Sequence, residues 1–194
     1  MTRSTDTRQR ILRHATGLAS VHGLEPLTIG RLADDVQMSK SGLFAHFRSK
    51  EALQLQVLDF AETRFVDELL RPALAAERGL PRIREFATRW LAWTRTAYPG
   101  ACPVLAAITE FDNRPGAVRD HVRKKIAAYR DTLRRMAEGA IQAGHFRPGA
   151  SPEQFAFELF GILLTTQTAM HLLDDRQVDT RFNQALDDLI TRMR

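Results

Sequence analysis

The chain holds a single cysteine, Cys102, in 194 residues, which excludes an intrachain disulfide framework and any zinc site built on several thiolates. It also lacks a long hydrophobic run. The longest stretch free of Asp, Glu, Lys and Arg extends from Leu159 to Leu173 and includes Thr165, Thr166, Gln167, Thr168 and His171, short of the ~18 apolar residues of a spanning helix. The first ten residues, Met1-Thr-Arg-Ser-Thr-Asp-Thr-Arg-Gln-Arg10, carry no apolar secretory core, so a cytoplasmic location is expected. Catalytic signatures are missing as well: there is no glycine-rich phosphate loop, no Gly-x-Ser-x-Gly elbow and no Cys/His pair at a recognisable spacing. The six histidines form no His-x-x-x-His or Glu-x-x-His arrangement, which argues against a metal site. No catalytic residue, metal or cofactor is therefore expected, and the chain reads as something other than an enzyme.

What is present suits an ordinary globular protein of one domain or two small ones: 44% hydrophobic and 26% charged residues, with 11 Gly and 8 Pro, leave no room for a disordered or collagen-like reading. The charge is uneven. Residues 1 to 50 hold eight basic side chains against four acidic ones, whereas the remaining 144 hold 20 against 19. A phosphate-binding module on a neutral body has this distribution, and so has an ordinary solvated face.

Helical periodicity dominates, with no stretch of strand-like alternation. A first helix is expected from Asp6, paired with Gln9 as a capping box, to His22, with Gly23 as its stop. Thr28 and Ser39 are N-cap residues for two short helices reaching Asp35 and Phe47, and Ser49 caps a long helix to about Leu70, ended by Pro72. Further helices are expected over 81–98, 102–111, 117–143, 152–174 and 179–193. The last but one opens on Ser151-Pro-Glu-Gln154 and carries Phe155, Phe157, Leu159, Phe160, Ile162, Leu163, Leu164 and Met170 on nearly every face. Burial on more than one side accounts for that, either as a central core helix or as the seam of a symmetric homodimer formed with 117–143; the dimer is the expectation adopted.

The stretch from Thr28 to Phe47 has the form of a helix-turn-helix. Ala33 is small where two helices must meet, and Leu32, Val36, Met38, Leu43 and Phe47 close the joint from within. The second helix then exposes Ser39, Lys40, Ser41, Gly42, Phe44 and His46, whose first turn fits a DNA major groove. There Lys40 donates to guanine or phosphate, and Gly42 permits close approach. Thr28 and Lys50 stand at the starts of flanking helices, where N–H groups favour phosphate oxygens.

Residues 6 to 55 resemble the TetR family of bacterial repressors, above all in Leu43-Phe-Ala-His-Phe47 followed by Arg48-Ser-Lys-Glu-Ala-Leu53. Members typically read Leu-Tyr-x-His-Phe and a Lys-Glu pair there. Carried over, the family's phosphate contacts fall on Thr28, Phe44, His46 and Lys50, and its base contacts on Ser39, Lys40, Ser41 and Gly42. Two departures stand out: Phe44 replaces the common tyrosine and loses its hydroxyl, and Gln37 replaces a glycine of the turn, where a left-handed backbone would cost on the order of 1 kcal/mol. Gly100-Ala-Cys-Pro-Val and Glu110 to Arg119 also resemble the C-terminal domain of one subgroup.

The resemblance implies an all-α fold: an N-terminal helix-turn-helix DNA-binding head (1–48) and a C-terminal helical effector-binding and dimerisation body (49–194). It implies a repressor released from a palindromic double-stranded DNA operator by a small-molecule effector; a helical ligand-binding dimer without sequence-specific DNA binding is the alternative. Phe65, Phe86, Trp90, Trp93, Phe111, Phe160 and Leu164 are candidate pocket walls, with Thr94, Gln167 and His171 as polar groups, although aromatic residues at helical spacing equally make plain core. Cys102, before a proline at a helix start, reads either as a redox sensor or as an inert thiol.

Overall fold

The computed structural model describes residues 3–194, with side chains from Thr7 onward; among these residues all regular structure is helical. α1 spans Arg3–His22, α2 Ile29–Asp35, α3 Lys40–Phe47 and α4 Lys50–Phe65. The chain continues with α5 Arg71–Leu74, α6 Leu80–Thr96, α7 Pro103–Phe111, α8 Ala117–Gln142, α9 Pro152–His171 and α10 Val178–Met193. α1 begins a turn ahead of the expected Asp6 cap, and the side chain of Asp6 lies outside the described residues. Its end is as expected: Gly23 adopts φ +86° and bonds its N–H to Ala19 O at 3.0 Å.

The caps explain where the short helices start. Thr28 Oγ1 accepts from Arg31 N at 3.2 Å, Ser39 Oγ from Gly42 N at 3.1 Å, Ser49 Oγ from Ala52 N at 3.0 Å and Ser151 Oγ from Gln154 N at 3.1 Å. Each satisfies an N–H with no partner inside its own helix, worth about 1 kcal/mol. Pro72 does not end α4 in the expected way. The helix widens into a π-turn over Val66–Leu70 and then resumes as α5. Pro72 has no N–H and its ring would press on the carbonyl four residues earlier; the wider turn gives that ring room, and the chain stops at Leu74 instead.

The helices sort into two compact units. The first comprises the described residues up to Phe65 together with Thr96–Lys124, and the second Val66–Arg95 with Lys125–Arg194. In the first, Ile11, Ala15, Ala19, Leu32, Leu43, Phe47, Leu53, Val57 and Ala107 are buried. In the second, α6 runs antiparallel to α10: Arg84 pairs with Asp187 at 2.5 Å, Trp90 stacks on Phe182 at 5.8 Å and Arg95 pairs with Asp179. α9 also runs antiparallel to α10, with Glu158 held by Arg192 at one end and Thr166 and Ala169 sharing a groove with Val178 and Phe182 at the other. Tyr129 of α8 lies edge-on to Phe160 of α9 at 5.9 Å and against Phe86 of α6 at 6.3 Å.

Along α9 the expectation of burial on several sides is only half met within the chain. Phe155, Leu159, Leu163 and Gln167 are buried and Phe157 is exposed, as are Leu172 and Leu173 just past the helix, which ends at His171 rather than at the expected 174. Among the described residues no helix is long and apolar enough to cross a membrane, and no group of His, Cys, Asp and Glu is arranged to hold a metal ion.

Candidate nucleic-acid interface

The head is built around a buried joint. Leu32, Ala33, Leu43 and Phe47 have almost no exposure, Val36 and Met38 are half-buried, and Met38 N reaches Ala33 O at 3.0 Å to close the turn between α2 and α3. Burying a leucine or phenylalanine side chain is worth about 1.5–3 kcal/mol, so these four residues hold the two short helices where propensity alone would not. The turn forces Gln37 to φ +54°, the left-handed position that the sequence flagged. Gln37→Gly is therefore expected to stabilise the protein by about 0.5–1 kcal/mol, net of the freedom glycine adds to the unfolded chain. The denaturant midpoint should rise with an unchanged slope; an unmoved midpoint would mean that the turn carries no strain.

The outer face of α3 is free for a partner. Ser39, Lys40, Ser41 and Phe44 are exposed, and Gly42 and His46 are half-buried. Thr28 and Ser39 accept cap bonds through their hydroxyl oxygens, which leaves the Thr28 hydroxyl proton available to a phosphate acceptor, while Ser39 and Ser41 can each donate to the other's hydroxyl. Ser41 Oγ lies 3.2 Å from Ser39 Oγ. A Cβ on Gly42 would stand 3.1 Å from Ser39 Oγ, so glycine makes room for the cap as well as for a base edge. The Lys40 side chain lies over Gly30, its Nζ 3.9 Å from where a Cβ would be. From Met38 to Lys50 the sequence contains no carboxylate, and Arg31, Lys40 and Arg48 have no ion-pair partner among the described residues.

Lys50 is placed differently from a free phosphate ligand: its Nζ bonds Glu25 Oε1 at 2.8 Å, and Arg114 lies 3.7 Å from the other oxygen. The Lys50 ammonium, hydrogen-bonded to it, holds the Glu25 carboxyl below its ordinary range, with Arg114 adding to the effect. The sequence gives no local sign of this pairing, nor of Glu110. That α7 carboxylate accepts from Leu24 N at 2.9 Å and Glu25 N at 2.6 Å, while the buried Gln54 donates to Leu24 O at 2.9 Å. Together they hold the turn that leads into α2.

The candidate pocket residues fall in both units. In the first, Phe111 is buried and Phe65 half-buried; in the second, Phe86, Trp90, Trp93, Thr94 and Gln167 are buried, Phe160 and Leu164 half-buried, and His171 exposed at the end of α9. Cys102 precedes Pro103 as the cap of α7 and is buried. Burial pushes its thiol pKa up, against the smaller opposing pull of the Leu105 and Val104 amides, so the inert-thiol reading fits and the thiolate a sensor requires is disfavoured.

Compared with known proteins, residues 11–57 match the family model described as bacterial regulatory proteins, tetR family, and residues 79–186 match tetracyclin repressor-like, C-terminal domain. A search of curated proteins returned no match. Among solved structures, a TetR transcriptional regulator from Chloroflexus aurantiacus J-10-FL superposes with a TM-score of 0.86 at 23% identity, covering 98% of this chain and 96% of that one. A TetR-family regulator from Cytophaga hutchinsonii gives 0.85 at 22%, over 100% and 97%. AibR, solved with isovaleryl coenzyme A and operator DNA, gives 0.71 at 23%, over 91% and 97%.

Proposed function

This chain belongs to the TetR family of bacterial regulatory proteins, and from that premise we infer that it is a cytoplasmic repressor that a small-molecule effector releases from a palindromic operator. The observation that carries the reading is α3: an exposed, carboxylate-free face held by a buried joint. In this reading residues 1–48 read the DNA. Ser39, Lys40, Ser41 and Gly42 meet base edges, and Thr28, Phe44 and His46 lie along the phosphates, where Phe44 offers apolar contact only. Lys50 reaches a phosphate when the DNA draws it from Glu25, or else keeps the turn in place through that carboxylate.

Residues 49–194 bind the effector and dimerise. The outward stripe of α9, formed by Phe157, Gly161, Thr165 and Thr168 and continued by its C-cap Leu172, is exposed and bears no charge. Its steps of three and four residues put it on one helical face, suited to a second copy of the chain. On α8 the outward residues include Arg123, Lys124 and Arg130, which would repel across a two-fold axis, so in this reading α9 forms the centre of the seam and α8 its rim. Two recognition helices then have to stand about 34–36 Å apart to enter successive major grooves. An effector that favours the wrongly spaced state by ~5 kcal/mol would empty the operator. AibR, which was solved with both isovaleryl coenzyme A and operator DNA, lends this two-site scheme support.

Footprinting on the DNA upstream of the chain's own gene tests the reading. One inverted repeat bound tightly and with strong salt dependence is the expected result; weak binding equal on all DNA would sink it. On that operator Lys40→Ala is expected to cost about 1–3 kcal/mol, roughly 5- to 150-fold in affinity, with stability unchanged. If Lys40 meets phosphate alone, the salt slope falls by about one and base preference is kept.

A further inference from the structure

Arg78, Arg82 and Arg135 line one groove of the second unit, about 340 Å³ in volume, together with Leu74, Met136 and Glu138. Small-molecule sites start at about this size, near 300 Å³. The groove runs between the stretch that joins α5 to α6 and the second half of α8. Its apolar part comes from Leu74, exposed at the end of α5, and from Met136, buried on α8.

The joining stretch is tied down on both sides of Arg78. Behind it, Arg82 donates Nε and Nη2 to Ala76 O at 3.1 and 2.8 Å. Ahead of it, Gly79 turns the chain at φ +97°, and Leu80 N donates to His145 Nδ1 at 3.2 Å. A Cβ on Gly79 would lie 2.2 Å from that same nitrogen, so glycine is what lets the stretch come so close to the turn after α8. Arg78 itself is exposed and has no ion-pair or hydrogen-bond partner among the described residues. A fixed backbone thus presents an unengaged guanidinium beside an apolar groove.

The charges around it do not cancel. Among the lining residues there are three guanidinium groups and one carboxylate, Glu138, which Arg134 already holds. Asp131, one turn back on α8, is shared between Arg134 and Arg135. On the other side Arg71 pairs with Asp67, Arg84 with Asp187 and Glu85 with Arg89. Glu77 is exposed and is not part of the lining, and His145 Nδ1 is engaged by Leu80 N. Positive charge is therefore left over in a groove with low-dielectric walls, where its field is concentrated. Donors are left over too: Arg82 keeps its Nη1 amino group, Arg135 uses only Nη2 on Asp131, and Arg78 keeps its whole fork.

We propose that this groove binds a small phosphate ester, its phosphate held by Arg78, Arg82 and Arg135 and its apolar group laid against Leu74 and Met136. A carboxylate would balance one guanidinium, whereas a phosphate monoester brings about −1.5 to −2 charge and three acceptor oxygens, which suits several forks at once. Nothing in this site depends on operator binding.

Titration calorimetry of the full chain at fixed ionic strength tests it. Phenyl phosphate is the probe, inorganic phosphate and phenol are its two halves, and benzoate is a singly charged counterpart. Phenyl phosphate should bind more tightly than the other three, and at about ten times its Kd should raise the Tm by about 3–6 °C. Arg78→Gln should leave the ligand-free Tm in place, since that side chain makes no internal contact, and should weaken phenyl phosphate at least about tenfold. Phosphates can also visit the face of α3, so Lys40→Ala serves as the control of position and should leave the affinity as it is. No binding of phenyl phosphate would overturn the proposal, as would an affinity matched by phenol, benzoate or inorganic phosphate. So would an affinity that survives Arg78→Gln or is lost in Lys40→Ala, or a fall in the ligand-free Tm of Arg78→Gln, which would mean that the guanidinium serves the fold instead.

Discussion

Gly100→Ala is expected to destabilise the first unit by about 1–3 kcal/mol, because the new methyl group meets backbone that cannot rotate aside. The added Cβ would lie 2.2 Å from the carbonyl oxygen of Ser20, 2.8 Å from its carbon and 3.2 Å from the Cα of Val21. All three atoms belong to the last turn of α1. Relief would require moving that turn or the 97–100 segment, and both are tied. Gly100 N donates to Ser20 Oγ at 3.2 Å, Arg64 donates to Ala97 O at 3.0 Å, and its guanidinium lies 5.0 Å from the centre of the buried Tyr98 ring. A shift large enough to admit the methyl would break the first of these bonds and strain the other two contacts. Urea unfolding followed by far-ultraviolet circular dichroism reads the effect as a lower midpoint. A loss below about 1 kcal/mol would show that the segment yields, and that glycine is not required for the close approach.

The parts of this molecule that could be read beforehand depend on neighbours along the chain. Thr28, Ser39 and Ser151 act on N–H groups three residues ahead, so their caps are visible in any short window of sequence. The helix-turn-helix joint is visible for the same reason, since Leu32, Ala33, Leu43 and Phe47 lie within sixteen residues of one another. Gln37 could be flagged because the family pattern places glycine there, and the packed joint then drives its φ positive. Pro72 was misleading as a stop signal: its rule concerns an α-turn, and the chain evades the rule by widening into a π-turn. On α9, apolar residues all round the helix suggested burial on several sides. Which side the chain itself covers, and which stripe it leaves open, depends on where α8 and α10 lie. Lys50 and Glu25 meet only after the turn before α2 folds back, and Glu110 reaches that turn from more than eighty residues away. Thr94 and Gln167 could be named as polar groups among apolar faces, but that both are buried shows only in the fold. Pattern carries the elements; long-range polar contacts come only with the fold.

Glu110→Ala is expected to cost about 3 kcal/mol and to loosen the reading head at a defined place, since each charge-assisted bond to a backbone N–H is worth about 1.5–3 kcal/mol. Both carboxylate oxygens are used, one on Leu24 N and the other on Glu25 N. Gly23 before them must be glycine on two grounds: its φ is +86°, and a Cβ there would lie 2.8 Å from Glu110 Oε1. The turn would still be tethered by Gln54 on Leu24 O and by Lys50 on the Glu25 side chain, so the damage should be local before it is global. Amide exchange at residues 24 and 25 should accelerate by roughly a hundredfold, while the α4 core around Leu53 and Val57 changes less. Glu110→Gln keeps one acceptor but offers an NH₂ to the second N–H, and should lose about half as much stability. Operator affinity should fall with Glu110→Ala because the turn delivers Thr28 and α2 beneath α3, yet the salt slope should stay at its wild-type value, since Glu110 meets no phosphate. That separates it from a lost phosphate contact, which lowers the slope. Wild-type exchange at both amides in the Ala variant would show that the two bonds do not hold the turn, and α7 would lose its claim on the position of the head.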